Sequence, residues 1–136
     1  MRILIAEDNQ VLLKSLTFLI SRIKGVEAVS AHTNGLQILN ALEQKSDIDL
    51  VMSDLHMPGM GGIELTSKLK EHFPKVKICL LTTEDQPDII RKAINAGADG
   101  YILKNAELSQ LEMAINLIVA GNKFYSPEVL DQLNKI

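Results

Sequence analysis

The chain has one cysteine, Cys79, among 136 residues, so no disulfide within it can staple the fold. Cys79 lies in the apolar run Ile78-Cys79-Leu80-Leu81, where a small buried hydrophobe is expected rather than a reactive thiol. Runs of Lys or Arg are also missing. Fourteen basic against 17 acidic residues leave a formal net charge of -3, so the counterion-release term that drives nucleic-acid binding has little to act on. The chain by itself is therefore not expected to bind DNA. Long apolar stretches are lacking too. Ile3-Leu4-Ile5-Ala6 is cut by Glu7 and Asp8, too short for the apolar core of a signal peptide, and no stretch reaches membrane-spanning length. No internal repeat or low-complexity segment occurs, and a reducing cytoplasm is the expected setting.

At 46% hydrophobic residues, the chain is long enough to bury a core as one domain without disulfides or a structural metal. Short apolar runs alternate with helix-period segments five times, the pattern of βαβ units that build a parallel sheet with helices on both faces. Strands are predicted at Arg2 to Ala6, Val26 to Ala31, Leu50 to Ser53, Lys77 to Leu81 and Gly100 to Leu103. In the second of these, Glu27 and Ser30 break the apolar character, which suits an edge strand. The first helix begins near Gln10, carries Val11, Leu12, Leu16, Leu19 and Ile23, and closes at Gly25. The second runs from Gly35 to Gln44, and the third places Ile63, Leu65, Leu69 and Phe73 before Pro74. Pro87, capped by Asp85 or Gln86, opens the fourth, which reaches Gly97. Ser109 and Glu112 have capping-box spacing for the fifth, closed by Gly121. Ser126-Pro127-Glu128, with Val129, Leu130, Leu133 and Ile136 as one stripe, reads as a short sixth helix.

The chemistry concentrates at predicted strand ends. Glu7 and Asp8 follow the first strand, Asp54 ends the third, Thr82 the fourth, and Lys104 follows the fifth. Right-handed crossovers put parallel strand ends on one side of a sheet, so three carboxylates, a hydroxyl and an ammonium converge at the edge where open α/β sheets bind ligands. Singly, each has an ordinary explanation as a cap, strand filler or solvated end. Three crowded carboxylates repel one another, and a hard divalent cation with oxygen ligands, most simply Mg²⁺, resolves this. Asp54 could then attack phosphorus in line, with Thr82 and Lys104 donating to the acyl phosphate formed. His32, His56 and His72 lack metal-ligand spacing, and His32 and His72 read as structural or surface residues.

Four stretches carry a resemblance: Ile3-Leu4-Ile5-Ala6-Glu7-Asp8, Met52-Ser53-Asp54-Leu55-His56-Met57-Pro58-Gly59-Met60-Gly61-Gly62, Leu80-Leu81-Thr82-Thr83, and Gly97-Ala98-Asp99-Gly100-Tyr101-Ile102-Leu103-Lys104. In this order and spacing the chain resembles the receiver domain of bacterial two-component response regulators over nearly its whole length. The resemblance implies a flavodoxin-like, doubly wound sheet of five parallel strands in the order 2-1-3-4-5, with five helices plus a short C-terminal helix. It implies that Asp54 is the phosphoacceptor for a sensor histidine kinase, and that Asp8, Glu7, Asp54 and the main-chain carbonyl of His56 hold Mg²⁺. Thr82 and Lys104 would contact the phosphoryl group. Thr82 and Tyr101 would switch together, remodelling the face made by the fourth helix, fifth strand and fifth helix to control dimerisation.

Residues 1–121 form the receiver in this reading and residues 122–136 a tail or linker helix. The stretch Gly121-Asn122-Lys123-Phe124-Tyr125-Ser126-Pro127-Glu128-Val129 resembles the subfamily whose receiver precedes a LuxR-type helix-turn-helix DNA-binding domain. The chain is thus expected to be an excised receiver that reaches DNA only through an output domain not present in it. The resemblance implies a signalling phosphoacceptor, not an enzyme beyond its own phosphotransfer and dephosphorylation. Two positions depart from the commonest pattern. Asn105 replaces the Pro that often follows the lysine, and Thr83 stands where Ala or Gly is frequent, so Thr83 and His56 are expected to tune the hydrolytic water. A pseudo-receiver that signals by binding alone is the alternative. A phosphohydrolase of the haloacid dehalogenase type would need a second acid where His56 stands.

Overall fold

In the computed structural model, which describes residues 1–45 and 47–134, the five apolar runs become parallel strands. The chain runs β1 (Arg2–Ala6), α1 (Gln10–Ser21), β2 (Ala28–His32), α2 (Gly35–Gln44), β3 (Leu50–Asp54), α3 (Gly62–His72), β4 (Lys77–Thr82), α4 (Pro87–Ala96), β5 (Gly100–Leu103), α5 (Leu108–Val119), β6 (Phe124–Tyr125) and α6 (Pro127–Leu133). The sheet order is β2-β1-β3-β4-β5-β6, with every pairing parallel. The expected order 2-1-3-4-5 therefore holds, with a sixth strand added on the β5 edge. Phe124–Tyr125 is only two residues long, too short to show alternation in the sequence.

Side chains alternate between two cores. Leu4, Val51, Ile78, Leu80 and Tyr101 point into the layer filled by α2, α3, α4 and α6, whereas Ile3, Ile5, Met52, Cys79, Leu81 and Ile102 point toward α1 and α5. The central strands β1, β3 and β4 are buried on both faces, which is why they read as unbroken apolar runs. β2 is the expected edge strand. It starts at Ala28 rather than Val26, because the Val26 N–H closes the turn after α1 on Ile23 O, 3.1 Å away.

Helix ends differ in detail from the sequence reading. α1 stops at Ser21, short of Gly25, and Ile23 reaches the core from the turn that follows. Gln86 holds the cap position of α4 without a side-chain bond. At α5 the cap position falls on Glu107, so Ser109 lies inside the helix and makes no capping box with Glu112. Ser126 precedes α6, but its hydroxyl accepts from the Leu103 N–H at 3.1 Å instead of capping the helix. Ile136, expected on the stripe of α6, lies outside the described residues. Among those residues, no helix is long and apolar enough to cross a membrane.

Gly61 and Gly62 position the site. A Cβ on Gly62 would sit 2.5 Å from Asp54 O and 2.8 Å from Leu80 Cδ2, so only glycine lets α3 start against the end of β3.

Candidate functional site

Parallel strands of nearly equal length end together, and five of the sequence-selected residues meet at that edge. Glu7, Asp8 and Asp54 each offer a carboxylate oxygen, all within 4.8 Å of one another. Glu7 and Asp54 are buried, while Asp8 faces solvent. Asn9, not Asp8, caps α1: its side chain accepts from the N–H groups of Val11 and Leu12, which leaves the Asp8 carboxylate to the cluster. Glu7 is fixed from behind by the Asn9 N–H, which donates to Oε2 at 3.0 Å.

Lys104 lies between the two buried acids. Its ammonium is 3.0 Å from Glu7 Oε1 and 3.1 Å from Asp54 Oδ2. Burial by itself would lower its pKa, but the bonds to Glu7 and Asp54 outweigh that and hold it above the usual lysine value. The lysine side chain is 22% exposed, so this cation is partly dry. Asp54 is 8% exposed, and its Oδ1 accepts from the Leu55 N–H at 2.7 Å. With Oδ1 so engaged, Oδ2 is the oxygen turned to the cation.

Three clustered carboxylates, two of them paired to one ammonium, leave excess negative charge, and the donors are all hard oxygens with Asp8 open to water. A hydrated divalent cation of the Mg²⁺ type suits that set. Among the described residues the cluster holds carboxylates alone, and the ring of His56 turns elsewhere: its Nε2 lies 3.2 Å from Glu84 Oε1, with the His56 side chain 70% exposed.

Thr82 ends β4 beside Asp54 and is buried; its Oγ1 accepts from the Glu84 N–H at 3.1 Å. Thr83 is exposed. Tyr101 is fully buried, and its hydroxyl donates to Glu84 O at 2.6 Å. Burial first, and then the negative charge of Glu84 and Asp85, keep that phenol protonated well above its ordinary range.

Glu84 is thus tied to Thr82, Tyr101 and His56 at once, yet the sequence reading did not select it. A signal was available: Glu84 stands two residues beyond the end of β4, as His56 stands two beyond the end of the adjacent β3. Asp99 was also missed. At the opposite end of the sheet its carboxylate accepts from Lys70 at 2.7 Å, Lys123 at 2.8 Å and the Ile78 N–H at 3.0 Å. Burial would raise the Asp99 pKa, but these bonds carry it below the usual carboxylate value.

Comparison with known proteins gives the family. Residues 3–116 match the model of the response regulator receiver domain. Response regulator GacA of Pseudomonas viridiflava is 33% identical over 133 residues, which cover 97% of this chain and 61% of GacA. The chain thus spans about six tenths of the length of such curated relatives. A LuxR-family two-component response regulator from Aurantimonas sp. SI85-9A1 superposes with a TM-score of 0.91 at 28% identity, covering 98% of this chain and 95% of that one. The isolated REC domain of RcsB from Salmonella enterica serovar Typhimurium, solved in the presence of the phosphomimetic BeF3-, gives 0.88 at 28% identity and covers 98% of both chains. RcsB has also been solved in complex with DNA, a structure that matches this chain with a TM-score of 0.91 at 29% identity, covering 100% of this chain and 68% of that one. The chain belongs to the response regulator receiver domain family.

Proposed function

We propose that the chain takes a phosphoryl group from a sensor histidine kinase onto Asp54. Support comes chiefly from one observation: Lys104 bridges the buried Glu7 and Asp54 inside a cluster of three carboxylates, a nucleophilic oxygen with a cation already beside it. In the transfer, Asp54 Oδ2 forms the new bond to phosphorus while the bond from phosphorus to the kinase imidazole nitrogen breaks, leaving an acyl phosphate. The Leu55 N–H holds Oδ1 and fixes the carboxylate plane. Lys104 then offers its ammonium to the added negative charge, a charge-assisted contact of the strong kind. Glu7, Asp8, Asp54 and the main-chain carbonyl of His56 would hold Mg²⁺, which neutralises phosphoryl oxygens.

Thr82 reads the new charge by turning its hydroxyl from the Glu84 N–H toward the phosphoryl group. Tyr101, already inward with its hydroxyl on Glu84 O, is held there once Thr82 has turned, and the face of α4, β5 and α5 is set with them. In a longer protein this change would control dimerisation, and through an output domain, DNA binding and transcription. A cytoplasmic setting accords with that role. His56 and Thr83 flank the acceptor and tune access of the hydrolytic water, with His56 held at the rim by Glu84.

Intact mass after incubation with Mg²⁺ and a small phosphodonor tests the proposal. Gain of one labile phosphoryl group, abolished in Asp54→Asn, is the expected result. No gain in the folded native chain would refute the reading in favour of a pseudo-receiver.

A further inference from the structure

The tail beyond α5 is built into the sheet next to the switch. The Phe124 N–H donates to Asp99 O at 3.0 Å and the Ser126 N–H to Tyr101 O at 3.1 Å. The Leu103 N–H returns a bond to Ser126 Oγ at 3.1 Å, so Ser126 grips both sides of Ile102. Lys123 adds its ion pair to Asp99 at 2.8 Å. A Cβ at Gly100 would sit 2.5 Å from Ile118 Cδ1, 2.9 Å from Cys79 Sγ and 3.2 Å from Phe124 O, so glycine lets α5 close on β5 with this strand alongside. These bonds set α6 down on α4 and β5. Val129 of α6 is fully buried in the same apolar cluster as Ile90 and Ala93 of α4 and Tyr101 of β5.

Tyr101 is therefore held at two ends. Its hydroxyl is bonded to Glu84 O, whose own N–H reaches Thr82, and its ring lies in the cluster that α6 closes. We propose that α6 is a latch that keeps Tyr101 inward, with Val129 and Ser126 as positioning residues, so that seating of the tail and occupation of the Asp54 pocket favour each other. The edge beside β5 is taken up by the chain's own β6 and α6, so the segment coupled to the pocket through Tyr101 is the one that follows α5. Coupling of this kind is reciprocal: whatever favours α6 docking favours the phosphorylated pocket by the same factor. The inference rests on the proposed role of Asp54, Thr82 and Tyr101.

The test uses the full chain as native, Val129→Asp, Val129→Ile and Ser126→Ala, each checked for an intact fold by circular dichroism. The chain has only two tyrosines, so ¹³C-tyrosine NMR gives two ring signals, assigned with Tyr125→Phe. Val129→Asp is expected to shift or broaden the Tyr101 signal and to weaken binding of beryllofluoride with Mg²⁺ at least about five-fold, the lower end of ordinary allosteric coupling. Val129→Ile keeps both readouts near native, and Ser126→Ala shows a smaller change of the same sign. In the native chain beryllofluoride slows amide exchange in α6. A Tyr101 signal and an affinity that both stay native in Val129→Asp, while α6 amides exchange freely, would overturn the latch. Absence of beryllofluoride binding in the native chain, equal to Asp54→Asn, would instead overturn the acceptor reading; the Tyr101 signal still reports on the latch.

Discussion

Replacing Asp8 by Asn isolates the electrostatic cost of the pocket. Asp8 is exposed and its neighbour Asn9 supplies the helix cap, so the substitution removes a charge and leaves packing and the cap in place. Its carboxylate lies within 4.8 Å of those of Glu7 and Asp54. At that separation each like-charge pair costs ~0.9 kcal/mol even at the dielectric of bulk water, so two pairs cost ~1.7 kcal/mol. Against this, Asp8 precedes the positive end of the α1 dipole, a gain of ~0.5 kcal/mol, and it feels some attraction to Lys104. Repulsion wins, and Asp8→Asn is expected to stabilise the metal-free fold by ~1 kcal/mol, a rise of ~3 °C in Tm. With Mg²⁺ at ten times its Kd, the native chain gains ~1.4 kcal/mol and overtakes the variant, which gains little. Thermal unfolding followed by circular dichroism, in chelator and in Mg²⁺, shows the crossing, and added salt narrows the gap in chelator. A variant that is less stable than the native chain in chelator, or that gains as much from Mg²⁺, refutes the reasoning.

Three other perturbations probe different parts of the molecule. Asp99→Asn removes the charge and one of the two acceptor oxygens of a buried carboxylate bonded to Lys70, Lys123 and the Ile78 N–H, and should cost ~1–3 kcal/mol at pH 7, toward the lower end because Lys123 is 56% exposed. Because the Asp99 pKa is depressed in the folded state, its stabilisation is full above the ordinary carboxylate value and is lost as pH falls through the folded value. Urea titrations should therefore show the native advantage vanishing in strong acid, and an advantage that persists there counts against the assignment. Gly62→Ala forces a Cβ to 2.5 Å from Asp54 O, and a loss of ~1–3 kcal/mol in urea unfolding is expected, with weakened Mg²⁺ binding. His56→Ala with Thr83→Ala should speed loss of the phosphoryl group while changing stability by less than ~1 kcal/mol, since the His56–Glu84 pair lies at the surface. An unchanged dephosphorylation rate, read by mass spectrometry over time, rules out the tuning role.

The sequence alone determined the core of the architecture and of the pocket. Strands β1, β3 and β4 were legible because burial on both faces demands unbroken apolar runs, and Glu7, Asp8, Asp54, Thr82 and Lys104 because each interrupts or follows such a run. Parallel pairing and right-handed crossovers then place them on one edge with no further information. Tertiary structure decided what rests on register and on bonds between distant segments. Phe124–Tyr125 becomes a strand by pairing with the free edge of β5. Ser126 bonds across to β5 rather than capping its own helix, because the Leu103 N–H lies within reach. Glu84 becomes the junction of Thr82, Tyr101 and His56 through bonds to two segments distant in sequence, which its place after β4 hints at but only the packing makes. Periodicity reports which face of an element is buried; which groups meet across elements is set by the packing that follows.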